Sequence, residues 1–168
     1  DVQRLEARPL AEALPVQSTY EIFVNAAAAF GNRTALAFLP TADPAAEPIR
    51  WSYAQLLTGI HQTANLLHHL GVGPEDAVAV LLPGCLEYHL ALWGGAAAGI
   101  VQPLNPLLSD EKLASLMNAA EARVLIAWGD EAEQGDGGLW AKALRIRGAV
   151  PTLRAVLRVA PHGETSAP

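Results

Sequence analysis

Apolar and polar positions follow two rhythms along this chain, and the changes of rhythm mark its elements. From Ala77 to Leu82 the residues are apolar without a break, over a strand length, and Pro83-Gly84 closes the run because that pair punctuates backbone rather than extending it. From Leu86 the spacing becomes helical: Leu86, Leu90, Trp93 and Ala97 recur three or four residues apart, and Gly99 stands where a helix commonly stops. Ile100 to Leu104 then reads as a strand again. Two buried strands joined by a helix predict a βαβ unit, with parallel strands covered on both faces and a right-handed crossover. The clearest helix precedes this unit. After Tyr53 the apolar positions Leu56, Leu57, Ile60, Ala64, Leu67 and Leu70 keep the helical repeat, and Gly71 supplies the stop.

The remaining elements extend the pattern in both directions. Ser18 with Glu21 three residues on has the spacing of a capping box, ahead of a helix carrying Ile22, Phe23, Ala26, Ala27 and Phe30 and ending near Gly31-Asn32. Thr34 to Leu39 and Ile49 to Ser52 predict an antiparallel hairpin with a long, mobile, proline-punctuated tip from Pro40 to Pro48. Ser109 caps a further helix with Leu113, Leu116, Met117 and Ala120 on its buried face, and Val124 to Ala127 is a third parallel strand. A loop over Asp130 to Asp136 leads to a helix from Leu139 to Ile146. Leu153 to Val159 reads as an edge strand, because Arg154 and Arg158 alternate with apolar residues. The expected class is α/β: three layers, a mostly parallel sheet and helices on both faces. Residues 1–17 form an extension, 18–159 one subdomain and 160–168 a linker-like tail. No internal repeat is present.

Composition narrows the partners. A chain of 168 residues, 51% hydrophobic and 17% charged, has enough apolar side chains for one sizeable core. A net charge of −6 and a pI near 5.3 argue against nucleic acid or an anionic membrane surface. The longest apolar run, Leu90 to Val101, is too short to span a bilayer, and no signal peptide is visible. The single cysteine, Cys85, rules out an internal disulfide framework and suits a reducing, cytoplasmic compartment. Position 1 is Asp and the only methionine is Met117, so the chain is expected to be a piece of a longer protein.

Ligands of open α/β sheets bind beyond the carboxyl ends of the strands, here Pro83-Gly84-Cys85, Asn105-Pro106 and Trp128-Gly129-Asp130. Cys85 lies near a helix N-terminus, which lowers a thiol's pKa, but no motif supplies a partner base, so a buried small hydrophobe is the preferred reading. His61, His68 and His69 share one helix without a completing carboxylate or cysteine motif, and His89 stands alone; none makes a metal site. Glu75-Asp76 reads as a turn satisfying backbone amides rather than an acid-base pair. Gly94-Gly95 before three alanines reads as a helix surface built for close packing rather than a phosphate loop.

Four segments together resemble the adenylate-forming acyl-CoA synthetases. They are Trp51-Ser52-Tyr53-Ala54-Gln55-Leu56, the turn Gly71 to Asp76, Leu81-Leu82-Pro83, and Gly95 leading to Pro103-Leu104-Asn105-Pro106. In one order, and across roughly three quarters of the chain from the Ser18 region to Ala127, they are jointly specific. The resemblance is to the amino-terminal part only. It implies a parent enzyme of the kind used in fatty acid metabolism, which joins a carboxylic acid to ATP as an acyl-adenylate and passes the acyl group to coenzyme A, with Mg²⁺. The family's Thr/Ser/Gly-rich nucleotide loop ending in lysine has no counterpart here, since Lys112 and Lys142 fall inside expected helices. No catalytic, cofactor-binding or metal residue is therefore carried over to this chain, which is expected to be inactive alone. The alternative is a non-enzymatic binding or assembly module derived from the fold. In the resembled fold this subdomain packs against a second α/β layer, so an exposed apolar face is expected, with Trp93 on the helix from Leu86 to Ala98 as its anchor and self-association as its consequence.

Overall fold

The computed structural model describes residues 2, 7, 9, 12, 15–43, 45–129 and 138–160. The elements run α1 (Thr19–Phe30), β1 (Thr34–Phe38), β2 (Ile49–Ser52), α2 (Tyr53–His69), β3 (Ala77–Leu81), α3 (Leu86–Ala98), β4 (Ile100–Pro103), α4 (Asp110–Ala119), β5 (Val124–Trp128), α5 (Leu139–Arg147) and β6 (Ala155–Val159). The expected loop at Asp130 to Asp136, the tail beyond Ala160 and most of the extension over residues 1–17 lie outside the described residues.

Local chemistry starts and stops these helices. Ser18 Oγ accepts from the Glu21 amide at 3.2 Å, while the Glu21 carboxylate accepts from Gln17 N at 2.7 Å instead of turning back to Ser18. The reciprocal box sits one helix later, where Ser52 Oγ accepts from Gln55 N and Gln55 Oε1 accepts from Ser52 N. Gly71, with φ of +80°, ends α2 in a Schellman turn: its amide donates to His68 O and that of Val72 donates to Leu67 O. α4 closes in the same way with Glu121 at φ +51°, a turn that no glycine announces.

Four strands form a parallel sheet in the order β4-β3-β5-β6, with Val78 beside Val101 of β4 and beside Val124 of β5. The hairpin β1-β2 is a separate antiparallel pair. Side chains of β3 alternate between two cores. Ala77, Ala79 and Leu81 point with Leu125 and Ala127 toward Leu113 and Met117 of α4 and Ala143 and Ile146 of α5. Val78 and Val80 point with Val124 and Ile126 toward Ala64 and Leu67 of α2 and Ala91 and Ala98 of α3. The three-layer α/β arrangement follows directly from that alternation.

Two expectations are corrected. β4 is an edge strand rather than a second fully buried one, and Ile100 is 55% exposed. Leu116 leaves the buried face of α4 at 43% exposure, because Leu113 and Met117, four residues apart, already fill the contact with the sheet.

Asp76 ties the turn before β3 to the sheet. Its carboxylate accepts from Gly73 N at 2.9 Å and from Arg123 Nε at 3.0 Å, and these bonds hold its pKa below the ordinary value of 3.8. A depressed folded-state pKa means that the stabilisation is present above the unfolded value and is lost as pH falls through the folded one. Acid unfolding of the chain is therefore expected to lose an Asp76 contribution below pH 3.8, and Asp76→Asn to flatten that part of the curve. An unchanged acid limb in circular dichroism would show that the bonds do not matter.

Candidate functional site

The parallel strands have the order second-first-third-fourth of a doubly wound sheet, which fixes where a crevice opens. β3 leads through α3 onto one face, whereas β4 and β5 lead through α4 and α5 onto the other. The loops leaving the neighbours β3 and β5 thus diverge at their carboxyl ends, the topological switch point where such sheets bind ligands. A cavity of about 240 Å³ lies there. Pro83, Gly84, Cys85, Leu86 and Glu87 after β3 form one wall, Trp128 at the end of β5 a second, and Phe38, Pro40 and Ile49 of the hairpin a third.

Sequence reasoning places the first two walls and misses the third. The hairpin arms carry no chemical motif, and only the tertiary fold brings Phe38 and Ile49 against the sheet. The hairpin tip is itself turned by Asp43, whose Oδ1 accepts from Ala45 N at 2.9 Å.

Cys85 is the N-cap of α3 yet makes no side-chain capping bond, and burial pushes its thiol up to about 11. Desolvation outweighs the helix dipole, so the side chain is a neutral wall that carries little thiolate at neutral pH. The second carboxyl end, Asn105-Pro106, is closed off. Asn105 Oδ1 accepts from Leu107 N at 3.0 Å, and Lys142 Nζ donates to Pro106 O at 2.9 Å and to Leu108 O. Lys142 therefore braces a turn, with Asp110 Oδ1 4.0 Å away, and is not available to a phosphate.

The other candidates resolve as packing or surface groups. His61 Nε2 shares a hydrogen bond with Tyr20 Oη at 2.9 Å, and His68 Nδ1 donates to Val72 O at 3.0 Å. Burial lowers the pKa of His89, which keeps it neutral. Among the described residues no group of three His, Cys, Asp or Glu is placed to hold a metal ion. Gly94 serves close approach: a Cβ there would stand 2.5 Å from Cβ of Thr63 on α2, and one on Gly59 2.6 Å from Leu90 of α3. Trp93 is not a bare anchor, since its ring packs on Phe23 of α1 at 5.0 Å between centroids. An apolar surface remains elsewhere. A groove of about 260 Å³ runs beside β6, lined by Leu66, Leu90, Ala91, Ile126, Leu157 and Val159 together with Thr63, Glu87 and Arg158. No helix is long and apolar enough to cross a membrane, among the described residues.

The family model described as AMP-binding enzyme matches residues 23–167. The chain belongs to this family. Its sequence is 29% identical over 147 residues to marinolic acid–CoA ligase of Pseudoalteromonas sp. (strain SANK 73390), covering 88% of this chain and 22% of that protein. Acetoacetyl-CoA synthetase from Streptomyces lividans superposes with a TM-score of 0.71 at 26% identity, covering 89% of this chain and 23% of that one. The N-terminal domain of FACL13 from Mycobacterium tuberculosis superposes at 0.66 and 18% identity, covering 86% of this chain and 34% of that domain. The chain is the amino-terminal subdomain of the acyl-CoA synthetase-like fold, and it spans about a fifth of the length of the curated relatives it matches.

Proposed function

We propose that this chain serves as the amino-terminal subdomain of an ATP-dependent acyl-CoA synthetase, whose whole polypeptide converts a carboxylic acid to an acyl-adenylate and then to an acyl thioester of coenzyme A. The observation that carries the reading is the family match over residues 23–167. The CoA ligases among its relatives support the thioester product.

The described residues do not fit ATP or Mg²⁺. Lys142 is engaged with two carbonyls, the glycines of α3 are packed on α2 and the neighbouring strands, and no acidic cluster is present among them. Nucleotide, metal and coenzyme A belong in this reading to the remaining polypeptide, and no chemical step is assigned to a residue of this chain. That remaining polypeptide is also the expected partner. It packs on the groove beside β6, where Leu157 and Val159 leave apolar surface only partly buried. A reducing, cytoplasmic setting suits the free thiol of Cys85.

Calorimetric titration of the 168-residue chain with ATP and Mg²⁺ is expected to give no saturable heat. Extension with the coding sequence downstream of Pro168, through a Thr/Ser/Gly-rich loop ending in lysine, is expected to restore acyl-adenylate formation. A micromolar dissociation constant for the chain alone would overturn the assignment of the nucleotide to the rest of the protein. A stop codon directly after Pro168 would favour the second reading, a binding or assembly module derived from the fold. One observation speaks for that module: the described residues offer apolar surfaces and no nucleotide cradle.

A further inference from the structure

We infer that the cavity at the β3/β5 switch point is a binding site for a neutral, ring-sized apolar group, a substituted benzene or a small bicyclic aromatic. This holds whether or not the chain works within a ligase. Position alone would suggest a phosphate, because open sheets often take phosphates at this crevice on a glycine-rich turn. The lining excludes that here. Among the described residues no lysine, arginine or histidine side chain lines the cavity, the one charged lining residue is Glu87, which bears a carboxylate, and the turn after β3 is Pro83-Gly84-Cys85.

Shape and size decide the class. Phe38 and Trp128 supply aromatic surfaces from the hairpin and the end of β5, and Ile49 and Leu86 supply aliphatic ones. A cavity of about 150 Å³ lined by Leu, Ile and Phe is enough to hold benzene, so the 240 Å³ found here takes one substituted ring or two fused rings and not a long chain. Cys85 contributes an uncharged thiol that neither repels an apolar ligand nor requires a cation. The polar end of a bound molecule would face the mouth.

Fluorine NMR of 4-fluorotoluene titrated into the 168-residue chain tests this. Saturable broadening with a dissociation constant below about 1 mM is expected, and Ile49→Trp, which fills the cavity, is expected to weaken it at least tenfold. The rate at which methyl methanethiosulfonate modifies Cys85 gives a second readout in the unaltered chain, and saturating 4-fluorotoluene is expected to slow it several-fold. A linear, non-saturating response, or saturation that leaves the Cys85 rate unchanged, would overturn the site. Equal binding by a folded Ile49→Trp chain would do so as well, by placing the ligand elsewhere.

Discussion

Replacing Gly99 by alanine is expected to destabilise the chain by about 3 kcal/mol, at the upper end of overpacking effects. The backbone conformation is not the reason, since φ at Gly99 is −168°, extended backbone open to any residue. Space is the reason. A Cβ on Gly99 would lie 2.5 Å from Asp76 O and 2.7 Å from Gly73 O. Both are main-chain carbonyls already in use: Asp76 O accepts from Ile100 N at 3.0 Å, and Gly73 O accepts from Asp76 N at 3.0 Å. Moving Asp76 O breaks the bond that sets Ala77 beside Ile100 and so the register of β4 on β3, and moving Gly73 O breaks the bond that closes the turn before β3. The expected fall in melting temperature is roughly 10 °C, read by circular dichroism. Gly148→Ala is the control, because a Cβ there meets nothing within 4 Å. If the two variants melted together, the turn before β3 would have to be looser than these contacts imply.

What was legible in the sequence was whatever a local pattern determines. The helical spacing from Leu56 to Leu67 and the glycine after it give α2 and its left-handed stop, and the unbroken run from Ala77 gives β3. Small residues at Gly94 and Gly95 read as a packing surface and form one, because glycines inside a helix leave no phosphate-binding amides free. Lateral placement was not legible. The pattern of β4 cannot say that it has a neighbour on one side only, which is why Ile100 reads as core and lies exposed. Nor can helical periodicity say how wide the contact of α4 with the sheet is, so Leu116 reads as inside and lies exposed. The cavity needs all three kinds of information at once. Its walls come from positions 38–49, 83–87 and 128, and only the carboxyl-end rule connects two of them beforehand.

Alone in solution, the chain is expected to self-associate through the groove beside β6 and not through Trp93. On one face of the sheet α4 and α5 cover the strands out to Ile146 and Val150. On the other, α2 and α3 reach Val124 and Ile126 of β5, but Ala155, Leu157 and Val159 of β6 are only partly buried, and Leu66 beside them is 47% exposed. An apolar strip of this kind is what the missing polypeptide of the proposed parent enzyme would cover, and in its absence a second copy is the available apolar partner. Sedimentation of the 17.7 kDa chain across a concentration series is expected to show reversible association, with a dissociation constant between about 1 μM and 1 mM. Leu157→Glu is expected to restore the monomer while leaving the melting temperature close to that of the unaltered chain, because the new carboxylate reaches water at a half-buried position. Trp93→Glu should do the opposite. It removes the ring that packs on Phe23 and lowers stability, while association through the groove persists in whatever remains folded. A strictly monomeric chain at high concentration that binds no hydrophobic dye would show that β6 is covered from within the chain, and would remove the ground for packing a larger enzyme on that edge.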